Sequence, residues 1–273
     1  SIWIPLPGSE LFFLWYHDDG VLARCLHESF LERGLYSYIC LCIMRAKRKA
    51  VAVLEFPYGV KEVTHLCAKD RKLGAAIERI GHVSREMDPD LFASVIHHII
   101  GQQVSMAAQR TVWERLLQQA PGTVTAETIL SLGREQLQSL GMTYRKAEYI
   151  LDFAEKVRSG AFDLEKLYSM DDEDVKASLC SLRGIGPWTA EMLMIFCMGR
   201  PDIVSYGDLA ILRGMRMLYG RKVIDRAAFD RYCRRYSPYG TTASLYLWAI
   251  ACGALPELRD PAVPKQKGAK KAP

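Results

Sequence analysis

No Cys-x-x-Cys occurs anywhere in this chain, although it carries eight cysteines. They stand at positions 25, 40, 42, 67, 180, 197, 233 and 252. That scatter excludes the paired-thiol patterns of zinc ribbons and thioredoxin-like redox sites. Cys180 and Cys197 fall in helical apolar patterns, where a free thiol is a small core residue. The pattern reads as a reducing compartment without a disulfide framework. No His-x-x-x-His pair is present either, and His97 and His98 are neighbours. Adjacent residues on a helix point in different directions, so the histidines build no metal site. Long hydrophobic runs are also missing. The stretch 35–44 is too short to span a bilayer and has no small-residue cleavage site after it, so neither an anchor nor a signal peptide fits. Neither sign of charge dominates: the net charge is +5. That balance is compatible with nucleic acid without requiring it.

What is present is a globular composition, 49% hydrophobic over 273 residues. This length buries a real core as one domain or two small ones. Residues 1–60 read as an N-terminal extension of uncertain role. Within it the apolar runs 11–16 and 35–44 carry little helical or strand punctuation. Met44 is followed by Arg-Ala-Lys-Arg-Lys, a sensible start for a cytosolic chain, so residues before it are expected to lie outside the functional unit. Residues 50–60 read as a strand or extended arm. From Thr64 onward apolar residues recur every three or four positions, which predicts helices over 70–80, 89–101, 105–119, 126–132, 134–140, 144–159 and 163–168. After residue 170 the same pattern predicts helices over 171–182, 187–197, 208–219, 226–236 and 241–253. Residues 259–273 read as a basic disordered tail.

The most informative stretch is Leu182-Arg-Gly-Ile-Gly-Pro-Trp-Thr-Ala190. Gly184 and Gly186 break one helix, and Pro187 opens the next at a position where its missing N–H costs nothing. Over 179–197 the result is helix, glycine hairpin, helix. Amides at a helix N-terminus make an anion site, and DNA phosphate is the natural occupant. Downstream, Gly207-Asp208 precedes Leu-Ala-Ile-Leu, which is good N-cap chemistry taken alone. Upstream, Ile99-Ile-Gly-Gln-Gln-Val-Ser105 joins two helices through Gly101. A weaker echo of the hairpin, Leu-Gly-Met-Thr-Tyr-Arg-Lys over 140–146, leaves Arg145 and Lys146 as further candidates for phosphate contact.

These motifs together resemble the helix-hairpin-helix (HhH-GPD) DNA glycosylase superfamily over roughly residues 64–258, nearest its 3-methyladenine glycosylase II branch. Leu182, Gly184, Ile185, Gly186, Thr189 and Ala190 fill the hairpin signature. Asp208 falls where the family places its essential Asp. The resemblance implies an all-α fold, two helical subdomains around a DNA-binding cleft, with the glycosylase domain over 61–258. It leaves no room for the long N-terminal β subdomain of some relatives. Other relatives hold an iron–sulfur cluster on four C-terminal cysteines; only Cys252 lies near that region, so that cofactor is not expected.

By the same resemblance Asp208 is the catalytic candidate, acting either through its charge beside a cation-like deoxyribose or by orienting and deprotonating water. Gly184, Ile185, Gly186 and Thr189 would bind phosphate. Gln103 would be pushed into the space left by the flipped nucleotide, with Gln102 bracing its loop. Trp188, Tyr206, Tyr239 and Met192 would line the base pocket. Each aromatic also has a plain reading as a packing residue. Bifunctional relatives carry a Lys where this chain has Trp188, and that amine forms a Schiff base. Its absence implies water as nucleophile, and the indole suits a cationic alkylpurine.

The implied activity is monofunctional hydrolysis of the N-glycosidic bond of alkylated purines of the 3-methyladenine type, flipped out of duplex DNA. Two alternatives stay open: the same fold acting on uracil, mismatched or oxidised bases, and a non-catalytic DNA-binding module. No cofactor or catalytic metal is expected, a monovalent cation in the hairpin being left open. The expected partner is duplex DNA containing a damaged base, for a monomer away from membranes, in the cytoplasm and at the nucleoid if the source is bacterial.

Overall fold

The computed structural model describes residues 2–5, 11–17, 20–22, 54–120 and 122–262. The chain divides into two compact units, Ser1–Ala52 and Val53–Pro273. Described by itself, the first holds strands β1 (Ile2–Pro5), β2 (Leu11–His17) and β3 (Gly20–Leu22). They form an antiparallel meander in the order β1-β2-β3, with Trp3 opposite Phe13 and Tyr16 opposite Val21. No strand was expected here from the residue pattern. The runs are aromatic and apolar without alternation, and strand propensity is the one local signal they carry. The segment around Met44 lies outside the described residues, as do 263–273 of the expected tail.

The second unit is built from α-helices: α1 (Val60–Lys69), α2 (Arg71–Ile80), α3 (Leu91–Gly101), α4 (Met106–Gln119), α5 (Ala126–Ser139, broken at Gly133 with φ +69° between the two expected helices) and α6 (Tyr144–Arg158). Then follow α7 (Asp172–Cys180), α8 (Pro187–Phe196), α9 (Leu209–Tyr219), α10 (Arg226–Tyr236) and α11 (Gly240–Ala251). Among the described residues no helix is long and apolar enough to cross a membrane. The helix starts follow a simple chemistry. Asp70, Asp90, Ser105, Thr125, Thr143, Asp171, Asp208 and Asp225 each stand at an N-cap and accept a main-chain N–H of the first turn. Each such cap is worth about 1 kcal/mol.

Some expected elements shift. Helix α1 begins at Val60, where an extended arm was expected; Glu55 alone makes a bridge, to Glu86. Gly59 N–H donates to Glu62 Oε2 at 2.8 Å, starting the helix early. The expected helix over 163–168 is reduced to a 3-10 turn, Lys166–Ser169. Residues 259–262, expected as part of the tail, are held in place: Asp260 forms a two-pronged ion pair with Arg216, at 2.8 and 2.5 Å. A charge run in the sequence hides such a partner more than forty residues away.

Two separate hydrophobic cores lie inside this unit. One gathers α3 to α8, with Ile96, Ile99, Leu116, Ile150, Phe153 and Leu193 buried. The other joins α1 and α2 to α9, α10 and α11, around Leu66, Leu73, Ile211, Tyr236 and Leu247. The first and last helices of this unit thus share the second core. Trp248 packs against both. Its ring stacks on Phe196, centroids 5.6 Å apart. Helices α9 and α11 cross closely because Gly214 has no side chain: a Cβ there would lie 2.2 Å from Leu247 O.

Candidate active site

The site forms where the hairpin of the first core meets the start of α9 in the second. Asp208 is 8% exposed and caps α9. Its Oδ1 accepts the main-chain N–H of Ala210 at 2.8 Å and of Ile211 at 2.9 Å. The indole N–H of Trp248 donates to the same oxygen at 3.2 Å, and that of Trp188 to Oδ2 at 2.9 Å. The helix cap and the candidate catalytic residue are therefore the same side chain. Four N–H donors fix the carboxylate and compensate its burial, which without partners would cost several kcal/mol.

Trp188 is 45% exposed, an open aromatic surface beside a buried carboxylate. Its far side meets His98 edge-on, centroids 6.5 Å apart. Burial, and secondarily His97, push the His98 pKa down to about 4. The imidazole beside the indole is therefore neutral near pH 7.

Gly186 caps α8 without a side chain, so the first N–H groups of that helix are left to an outside acceptor. Gly184 has φ +88°, and a Cβ on it would strike Tyr149 Cδ2 at 2.6 Å. Only glycine satisfies both demands. Arg145 and Arg183 lie over the Tyr149 ring at 5.7 and 5.1 Å. Ile185 is buried and plugs the hairpin into the first core, and Thr189 is buried too.

The Gln loop meets the hairpin. Gln102 Nε2–H donates to Gly184 O at 2.5 Å. Gln103 is exposed with φ +56°, the one non-glycine residue with positive φ among the described residues. Such a conformation costs about 1–3 kcal/mol and is kept only where the surroundings impose it. Lys146, expected as a phosphate contact, is turned inward onto the carbonyls of Ile100 and Gln102.

The other pocket candidates are dispersed. Met192 is 4% exposed and packs in the first core. Tyr206 stands edge-on to Phe229 at 4.9 Å, with Arg226 above it. Tyr239 meets His65 edge-on at 5.1 Å, with Lys61 at 5.9 Å. Hydrogen bonds tie Asp208 to Trp188 and Gln102 to Gly184, both through the hairpin segment, and leave those three packed on other partners.

Trp248, His98 and Glu191 escape a reading of the sequence. Trp248 sits in an apolar helix and reads as core; the one available signal is that a buried indole N–H needs an acceptor. Glu191 is a lone charge on an apolar helix, and such a residue is buried only when paired. It pairs with Lys176 at 2.6 Å and accepts Ser205 Oγ–H at 2.5 Å, anchoring the turn that ends at Asp208.

Residues 96–238 match the HhH-GPD superfamily base excision DNA repair protein family. The chain is 30% identical to the Bacillus subtilis protein YfjP over 186 residues, 64% of each chain. It spans 64% and 57% of the length of two Bacillus subtilis relatives it matches. A DNA-3-methyladenine glycosidase structure from Bacillus halodurans superposes with a TM-score of 0.70 at 34% identity, covering 76% of this chain and 96% of that one. The Schizosaccharomyces pombe 3-methyladenine DNA glycosylase Mag1, solved with abasic DNA, gives a TM-score of 0.61 at 25% identity, covering 71% and 97%. Hairpin, capped aspartate and paired helical cores thus stand together in one chain, and this chain belongs to the HhH-GPD superfamily of base excision DNA repair proteins.

Proposed function

We propose that this protein is a monofunctional DNA glycosylase that hydrolyses the N-glycosidic bond of alkylated purines. The observation that carries this reading is the Trp188–Asp208 hydrogen bond at 2.9 Å. It joins an exposed aromatic face to a buried carboxylate at the place where lyase relatives present a lysine amine. A base already carrying positive charge is attracted to an indole face by about 0.5–2 kcal/mol. The same charge makes it a good leaving group, so little general acid is needed.

Duplex DNA is the partner. The hairpin amides of Gly184 and Gly186 meet a phosphate, and Gln103 fills the gap left by the flipped nucleotide. As the C1′–N bond breaks, its electron pair leaves with the base and the sugar becomes cationic. The Asp208 charge about 4 Å away stabilises it by on the order of 4 kcal/mol at an effective dielectric near 20. Water adds to C1′ and passes its proton to the Asp208 carboxylate or to solvent, leaving an abasic site in an unbroken strand. Hydrolysis of this kind needs no cofactor. The protein works as a monomer.

The test is incubation, without added metal, of duplexes carrying an alkylated purine, uracil or 8-oxoguanine, with free base and strand breaks scored separately. Release of the alkylpurine with an intact abasic strand is expected, and its loss in Asp208→Asn. Direct strand cleavage, or release confined to uracil or 8-oxoguanine, would overturn the reading. DNA binding with no release would make the protein a scaffold.

A further inference from the structure

The end of α3 and the start of α6 meet through one side chain. Helix α3 ends at Gly101, and the last carbonyls of a helix have no partner of their own. The Lys146 ammonium supplies one from the first turn of α6, donating to Ile100 O at 2.8 Å and Gln102 O at 2.7 Å. A cation is also favoured at that end of the helix dipole. The two carbonyls belong to the 100–101 and 102–103 peptides, so holding both restrains the chain from the end of the helix up to the N–H of Gln103. The next residue is Gln103, at φ +56°. Two further contacts tighten the same loop. Gln102 is tied to Gly184 O, and Gln109 packs so closely on Gly101 that a Cβ there would meet its Nε2 at 2.4 Å. Gln109 is itself held to His97 O at 3.0 Å.

We propose that Lys146 is a positioning residue for strand opening: by bridging the carbonyls of Ile100 and Gln102 it holds Gln103 aimed at the duplex before any DNA arrives. Two of its three N–H groups are spent on main chain. Burial pushes its pKa down, the opposite of an ammonium kept in water for a phosphate. The inference rests on the glycosylase reading and deepens it: Lys146 acts on base extrusion, through Gln103, and leaves the bond-breaking step to Asp208.

That division is measurable. A wedge matters only where a base pair must be opened, least where the base is already unpaired. Lys146→Met, Lys146→Gln and Lys146→Arg would be assayed by single-turnover release of one alkylated purine from two substrates. In one the lesion is paired in a duplex; in the other it faces an abasic gap. Melting curves screen each variant for folding. For Met and Gln the expected loss is on the order of tenfold or more on the paired lesion and under about threefold on the unpaired one. Arginine, which reaches both carbonyls, is expected to restore most of the paired rate. A 2-aminopurine beside the paired lesion should brighten less with the Met variant than with the unaltered chain. Equal loss on both substrates, no loss on either, or no rescue by arginine would overturn the inference and leave the glycosylase reading standing. The inference falls in the same way if none of the variants folds, since Lys146 is then a core support. No release by the unaltered chain from either substrate would overturn both.

Discussion

Trp248 donates its indole N–H to Oδ1 of Asp208 at 3.2 Å while its ring stacks on Phe196 of the opposite core. One side chain therefore touches both cores and the carboxylate. Trp248→Phe keeps the stacking ring and deletes the donor. A hydrogen bond to a charged group contributes about 1.5–3 kcal/mol. The expected result is base release slowed on the order of tenfold or more. Affinity for undamaged duplex should stay close to that of the unaltered chain. Single-turnover release and a binding titration separate the two.

Asp208→Asn removes the charge and keeps the cap, since asparagine is as good an N-cap as aspartate. The asparagine Nδ2 donates and cannot accept the Trp188 N–H as Oδ2 does, so the melting temperature should fall by several degrees. Release should fall by about a thousandfold, the factor that corresponds to about 4 kcal/mol of lost charge stabilisation. Asp208→Ala loses the cap as well and is expected to cost about 1–2 kcal/mol more in urea unfolding.

Gly214→Ala tests the close crossing of α9 and α11. The new methyl would sit 2.2 Å from Leu247 O, a main-chain atom that cannot step aside. Overpacking of this kind costs about 1–3 kcal/mol. Because Trp248 follows Leu247 and Asp208 caps α9, release should fall together with stability. Gly220→Ala makes a control of a different kind. A Cβ there meets nothing within 4 Å, though φ is +66°, so it should lose stability alone.

The His98 imidazole gives a pH dependence with a defined sign. Burial, then His97, lowers its pKa to about 4, against about 6.5 in an unfolded chain. Between these values the unfolded chain binds a proton that the folded one does not, so stability rises with pH. It is complete above about pH 6.5 and is lost progressively down to about pH 4, by about 2–3 kcal/mol in all. His97 shifts in the same direction from burial. Urea midpoints from pH 4 to 7 should climb less steeply in His98→Phe than in the unaltered chain.

The hairpin was legible because its chemistry is local. Two glycines, a proline and an N-cap aspartate dictate their own backbone, so α8 and α9 start where the residue types require. Gln102 reads as a brace from sequence, and its amide donates to Gly184 O. What was illegible depends on distance. Trp248 lies forty residues beyond Asp208, and only packing brings its N–H to the carboxylate. Lys146 looks like any surface lysine in a first turn until α3 is placed against α6. Met192 carries a residue type that fits a pocket or a core equally, and the rotation of α8 put it in the core. In β2 the periodicity itself was uninformative, since Leu-Phe-Phe-Leu-Trp-Tyr alternates nothing.

The bare α-carbon of Gly184 lets the Tyr149 ring lie flush against the hairpin, and Arg145 and Arg183 rest over that ring. An arginine free in water gives up roughly 1.5–2 kcal/mol of rotamer entropy when it is immobilised. These two have surrendered part of it already, on folding. A polyanion arriving at the hairpin would therefore find cations already partly ordered, and more of each contact would remain as affinity. If that polyanion is DNA, as proposed, Tyr149 need not touch it to favour the contact: it limits the disorder of its two neighbours.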